Sequence, residues 1–159
     1  MPVLFNSSFG LRLTPKQVVD EVVRFMLAEP NRRYKVIIGS DSEKFSDDSA
    51  DFVTAIVVHR VGNGGRYFWR HASFEKFYTL RDRILKEVML SLEVAQEVFN
   101  QFAACQAPRF DFEIHVDIGE NGATKPMIQE VVGMIRAHNF EVRTKPDSYA
   151  ASKVADRHV

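Results

Sequence analysis

At 159 residues and 45% hydrophobic content, the chain amounts to a single domain spanning residues 1–159 and can fill one core. Lys and Arg number 21 and Asp and Glu also 21, so global charge draws in neither nucleic acid nor an anionic membrane, and any nucleic-acid partner must be held by a local patch. The lone Cys105 excludes an internal disulfide and reads as a buried structural thiol in a reducing compartment.

The opening "MPVLFNSSFGLRL" lacks the basic start and long apolar run of a signal peptide, and no stretch approaches the roughly 20 apolar residues of a membrane span. The expected location is cytoplasmic, without a membrane partner. Residues 1–30 form an N-terminal extension and helix: Thr14 caps, Pro15 enters the first turn, Val18, Val22 and Phe25 recur at helical spacing, and Pro30 stops it. "YKVIIGSD" follows as a strand whose unbroken apolar run predicts burial on both faces. After the polar, turn-forming "SEKFSDDSAD", the segments "FVTAIVVHRV" and "RYFWRHASF" flank "GNGG" as a hairpin.

From about Thr79 to Phe102, Ile84, Val88, Leu92, Ala95, Phe99 and Phe102 make one apolar stripe, which predicts a long amphipathic helix. Phe110, Phe112, Ile114 and Val116 alternate along a fourth strand that runs into Asp117. Thr124 is placed to cap a further helix with Ile128, Val131, Val132 and Ile135 inward; "FEVRTKP" is a short fifth strand and "SYAASKVADRHV" a last helix. The expected fold is α/β, a mixed five-stranded sheet in the order β-β-β-α-β-α-β-α flanked by helices, with an extra N-terminal helix.

Asp41 lies at or near the end of the first strand and Asp117 at the end of the fourth. If those strands are parallel neighbours, both carboxylates emerge at one sheet edge, where a shared cation would relieve their repulsion; hard oxygen donors suit Mg²⁺ or Mn²⁺. Taken singly, each is better explained as a loop cap; taken together with the topology, they point to a shared metal site. On the long helix Glu87 falls at the edge of the stripe, about 100° from Val88, whereas Glu93 and Glu97 project away; a pairing of Glu87 with Arg83, one turn earlier, is the alternative. Near the C-terminus Asp147 in "KPDS" and Asp156 in "VADRHV" compete as a fourth carboxylate, with Asp147 placed to cap the last helix.

His115 shares a strand face with Asp117 and is either a metal or phosphate neighbour or a hydrogen-bonded core residue. Asp47, Asp48 and Asp51 lack the spacing of a calcium loop. Arg143, Lys145, Lys153 and Arg157 form a modest basic group able to hold a phosphate backbone. Tyr67, Phe68 and Trp69 offer a stacking surface, although alternation sends part of the trio into the core.

The element order with Asp41, Glu87, Asp117 and Asp156 resembles the ribonuclease H-like superfamily. More narrowly, "IIGSDSE", "HVDIGENG" and "KPDSYAASKVADRHV" resemble the bacterial YkuK-type family of uncharacterised ribonuclease H-like proteins, over residues 14–159. The resemblance implies a two-metal nuclease acting on RNA, DNA or a hybrid. Asp41 would bridge two Mg²⁺ or Mn²⁺ ions, Glu87 and Asp117 would complete one shell, and Asp156 would serve the other. The first aspartate stands in Gly-Ser-Asp-Ser rather than Asp-Gly-Ser, and no extended basic insertion is visible. These departures point to a rival, a non-catalytic module that binds nucleic acid or protein. A weaker rival is a nucleotide-binding phosphotransferase.

Overall fold

The computed structural model describes residues 4–149 together with 153 and 154. Its organising element is strand β3 (Tyr34–Lys44), where Val36, Ile37 and Ile38 are all fully buried, as an apolar run in a central strand requires. Alternation sends Val36 and Ile38 to one face and Ile37 to the other.

Seven strands form one mixed sheet in the order β2-β1-β5-β4-β3-β6-β7. Strands β4 (Ala50–Arg60) and β5 (Gly65–Phe74) make the hairpin expected around the glycine turn, and β4 also pairs antiparallel with β3 along its whole length. Gly62 and Gly64 adopt positive φ in that turn, where a side chain would be strained. Strand β6 (Asp111–His115) lies parallel to β3, and β7 (Glu141–Arg143) lies parallel to β6.

Two strands exceed the expected five. Phe5–Ser7 (β1) and Arg12–Leu13 (β2) fold back on each other, and β1 then pairs with β5 through Asn6–Trp69 and Ser7–Phe68. Elements of three and two residues are too short to show a period; they exist because Ser7 closes the turn and Phe5 is buried against the core.

Among the described residues, three helices pack on one face. Helix α1 (Pro15–Ala28) opens with a complete capping box between Thr14 and Gln17, and α2 (Leu80–Ala103) is capped by Thr79, whose side chain accepts from the Asp82 amide. Helix α3 (Ile128–Ala137) buries Val131 and Ile135. The expected Thr124 cap is not made: a 3₁₀ turn at Lys125–Met127 precedes α3, and the Thr124 hydroxyl instead accepts from the Gly119 amide at 3.2 Å. Phe99 is half exposed, its ring edge against Phe112 and Phe140, so the α2 stripe is buried less deeply at that position than its spacing predicts. Cys105 is half-buried against the same core, not fully enclosed.

The opposite face carries a smaller core of Ile37, Val53, Ala55 and Val57, covered in part by Tyr67, Trp69, Tyr149 and Val154. The expected last helix falls mostly outside the described residues; Lys153 and Val154 have helical backbone. No described helix is long and apolar enough to cross a membrane.

A carboxylate edge at the parallel strands

The parallel ladder of β3 and β6 ends at the pair Gly39–His115. Two residues further along each chain stand Asp41 and Asp117, so the register brings both carboxylates to the same edge of the sheet. Strand β3 continues beyond this point because β4 pairs with it as far as Lys44. Asp41 is therefore inside a strand, opposite Val53, rather than in a loop after one. It outruns only the β6 side, and one of its carboxylate oxygens accepts from the Ser42 amide at 2.9 Å.

Alternation along β3 turns Ser40 and Ser42 toward α2 and Asp41 toward the other face. Beneath α2 a polar seam forms in an otherwise apolar interface. Ser40 is hydrogen-bonded to Thr54 at 2.8 Å and to Ser91 at 2.7 Å, and the Ser42 hydroxyl donates to Glu87 Oε2 at 2.5 Å. Glu87 and Ser91 are four apart on α2, while Ser40 and Ser42 are two apart on β3, so each helix turn meets one strand repeat. Glu87 is 6% exposed. Its carboxyl is pushed up to about 8, chiefly by burial, with Asp41 and Asp117 adding to the rise and the Ser42 hydroxyl and Arg83 opposing it. The rival pairing of Glu87 with Arg83 is not seen as an ion pair; Ser42 holds the carboxyl instead. Reading side chains singly missed Ser42, although the Ser40/Ser42 alternation beside a helix carrying Glu87 and Ser91 was present in the chain.

Asp117 meets Lys145, whose Nζ lies 3.2 Å from Oδ1, with both groups well exposed. The strand-β7 exit is held close by the Lys145 amide donating to the Ile118 carbonyl at 2.7 Å. A Cβ on Gly119 would stand 2.8 Å from the Lys145 Cβ, so only glycine permits this approach without a shift.

Other candidates lie elsewhere. His115 is buried; its Nε2–H donates to Glu113 at 2.8 Å and its Nδ1 accepts from the Tyr149 amide at 3.2 Å, so both ring nitrogens are engaged. Arg143 lies 3.5 Å from both Glu113 and Glu141, and so is drawn to that cluster rather than to the edge. Asp147 is exposed in a turn, where its amide donates to the Thr144 carbonyl. Lys153 is exposed, and Asp156 and Arg157 lie outside the described residues. Phe68 enters the helix-side core, whereas Tyr67 and Trp69 pack together across the other face. Asp47 binds Ser49 and Asp48 pairs with Lys44, as in a solvated turn.

The donors at the edge are chemically suited to a hard divalent cation: three carboxylates, one of them driven toward its neutral form chiefly by burial. Among the described residues, however, no three His, Cys, Asp or Glu side chains converge closely enough to hold a metal ion. Two causes are visible. Asp41 leaves β3 on the face opposite α2, which carries Glu87, and Lys145 lies beside an Asp117 oxygen. The second obstacle is weak, since an ion pair this exposed contributes at most about 1 kcal/mol.

The family profile described as Ribonuclease H-like matches residues 17–159, and the chain belongs to that family. It is 30% identical to the uncharacterized protein YkuK of Bacillus subtilis (strain 168), over 97% of this chain and 95% of that protein. A looser similarity joins it to the Mos1 transposase catalytic domain, in a structure with raltegravir and Mg. The TM-score is 0.31 and the identity 12%, over 80% of this chain and 58% of that one.

Proposed function

We propose that the protein is a divalent-metal-dependent nuclease that hydrolyses phosphodiester bonds of RNA or DNA at the Asp41, Glu87 and Asp117 edge. The observation that carries the reading is Glu87: a buried carboxyl held by one hydroxyl and pushed up to about 8 beside two further carboxylates. Such an arrangement is costly unless something positive enters, and hard oxygen donors favour Mg²⁺ or Mn²⁺. Asp41, Glu87 and Asp117 would hold the metal, with Asp156 the candidate for a fourth ligand. A bound ion of this kind supplies Lewis acidity toward phosphoryl oxygens and lowers the pKa of a bound water.

The chain's own residues do the rest. Ser42 holds the Glu87 carboxyl from β3. Lys145 balances Asp117 until a stronger cation displaces it. Membership of the ribonuclease H-like family supports a nucleic-acid-related role at the coarser level.

The test is incubation of the purified protein with labelled single-stranded RNA, single-stranded DNA, duplex and hybrid, in Mn²⁺, Mg²⁺ or EDTA, beside Asp41→Asn and Asp117→Asn. Metal-dependent cutting that both variants lose supports the nuclease. The rival non-catalytic binding module is favoured by the separation of Asp41 from Glu87 across β3. It predicts salt-sensitive binding without cleavage, indifferent to Asp41→Asn.

A further inference from the structure

A carboxylate edge repels the phosphate it must hold, so a cation is needed there as an anchor. Lys145 is beside Asp117, and Arg143 is drawn to Glu113 and Glu141. Arg83 differs from both. Its Nε is buried and has no hydrogen-bond partner, and among the described residues no ion pair joins its guanidinium to a carboxylate.

Its position follows from the seam. Along α2 toward its N-terminus, Ser91 meets Ser40 and Glu87 meets Ser42, so the helix descends as β3 advances toward the edge. Arg83 is the next residue on that face, one turn beyond Glu87 and close enough to lower the Glu87 pKa. It thus stands at the mouth of the carboxylate site. A buried, unpaired guanidinium donor is unfavourable on its own and calls for an anion, and its planar fork matches two oxygens of one phosphate.

We infer that Arg83 anchors the substrate by donating to the anionic oxygens of a phosphodiester at this edge. The inference rests on the nuclease reading for its location, and its chemistry serves RNA and DNA alike.

The experiment measures anisotropy of a short fluorescein-labelled single-stranded RNA, and of the DNA of the same sequence, with wild type, Arg83→Gln, Arg83→Lys and a distant control, Arg24→Gln. Cleavage rates in Mn²⁺ are taken in parallel. Loss of a charge-assisted bond predicts a Kd raised roughly tenfold to a hundredfold in Arg83→Gln, with Arg24→Gln unchanged. Arg83→Lys should recover part of the affinity, because it keeps the charge and loses the fork. Replacing phosphates by neutral methylphosphonates should weaken wild type and leave Arg83→Gln much less affected, a pattern that a purely structural role cannot produce. Thermal melting controls for folding: removing an unpaired buried donor should not lower Tm.

If wild type cuts and Arg83→Gln cuts and binds equally well, the anchor is overturned and the nuclease stands. If nothing is cut but Arg83→Gln still loses affinity, the nuclease reading fails and the anchor survives. If wild type binds neither oligonucleotide, both fall.

Discussion

Glu87 and Glu113 are both glutamates buried against the sheet, on opposite faces and 6% and 4% exposed, yet their carboxyl groups are driven in opposite directions. For Glu87 burial dominates, and two neighbouring carboxylates add to it, so the group is pushed up to about 8. For Glu113 burial is outweighed by the His115 hydrogen bond and by Lys35 and Arg143, at 3.7 and 3.5 Å, so it is held below its ordinary value. Burial alone therefore does not say what a carboxylate is for. The Glu113 cluster is already neutralised and ties β3, β6 and β7 together, whereas Glu87 meets a hydroxyl rather than an ion pair and burial holds its carboxyl toward the neutral form. A carboxyl so perturbed is the better guide to function.

The largest expected effect bears on that contrast. Asp117→Asn should lower metal-dependent cleavage by roughly a thousandfold, several kcal/mol of transition-state stabilisation, in a timed assay on the preferred substrate. Glu113→Gln should lower it far less at a temperature where the variant is folded. Equal losses in the two variants would erase the distinction between a functional and a structural cluster.

Next is the pH dependence of stability in EDTA. Between about pH 4.5 and 8 the folded chain keeps a proton on Glu87 that the unfolded chain releases, so this group lowers stability as pH rises and stops doing so above 8. Glu87→Gln should then match wild type near pH 4.5 and exceed it by about 3 kcal/mol at pH 7, measured by urea denaturation. Mn²⁺ should stabilise wild type and leave the variant nearly unchanged. A variant less stable than wild type at pH 7 in EDTA would contradict the assigned direction.

Glu113 has the opposite sign. Its stabilising contribution is present above the ordinary glutamate value and is lost as pH falls through its lowered folded pKa. Burial together with its other surroundings also holds His115 below its ordinary value, so the folded chain resists a proton that the unfolded one accepts as pH drops below 6.5. Glu113→Gln should cost about 2 kcal/mol at pH 7, a figure moderated by the partial exposure of Lys35 and Arg143. The loss should shrink in acid.

The smallest effect belongs to the Asp117 loop. Gly119→Ala forces the Lys145 segment back, and should cost about 1 kcal/mol in a denaturation midpoint while shifting the Asp117–Lys145 pair, visible in the Asp117 carboxyl resonance. No change in either readout would mean that the close approach is not needed.

Much of this was legible in the chain by itself. The run Val36–Ile38, the glycine turn between β4 and β5, the capping threonine at 14, and the apolar stripe of α2 carry their structure in local pattern, because backbone geometry sets periods of two and 3.6 whatever lies across the core. The same pattern set Asp41 and Asp117 at the ends of apolar segments and Glu87 at the edge of a helical stripe. The β1–β2 hairpin was not legible, since its strands are too short to show a period and are held by contact with β5. Only the tertiary structure decided that β3 and β6 are parallel neighbours in register, that Ser42 binds Glu87, and that Glu113 and Glu87 differ. Those facts depend on which residues distant in sequence share a buried space, and charge and hydrogen bonding respond to that neighbourhood rather than to the order of residues along the chain.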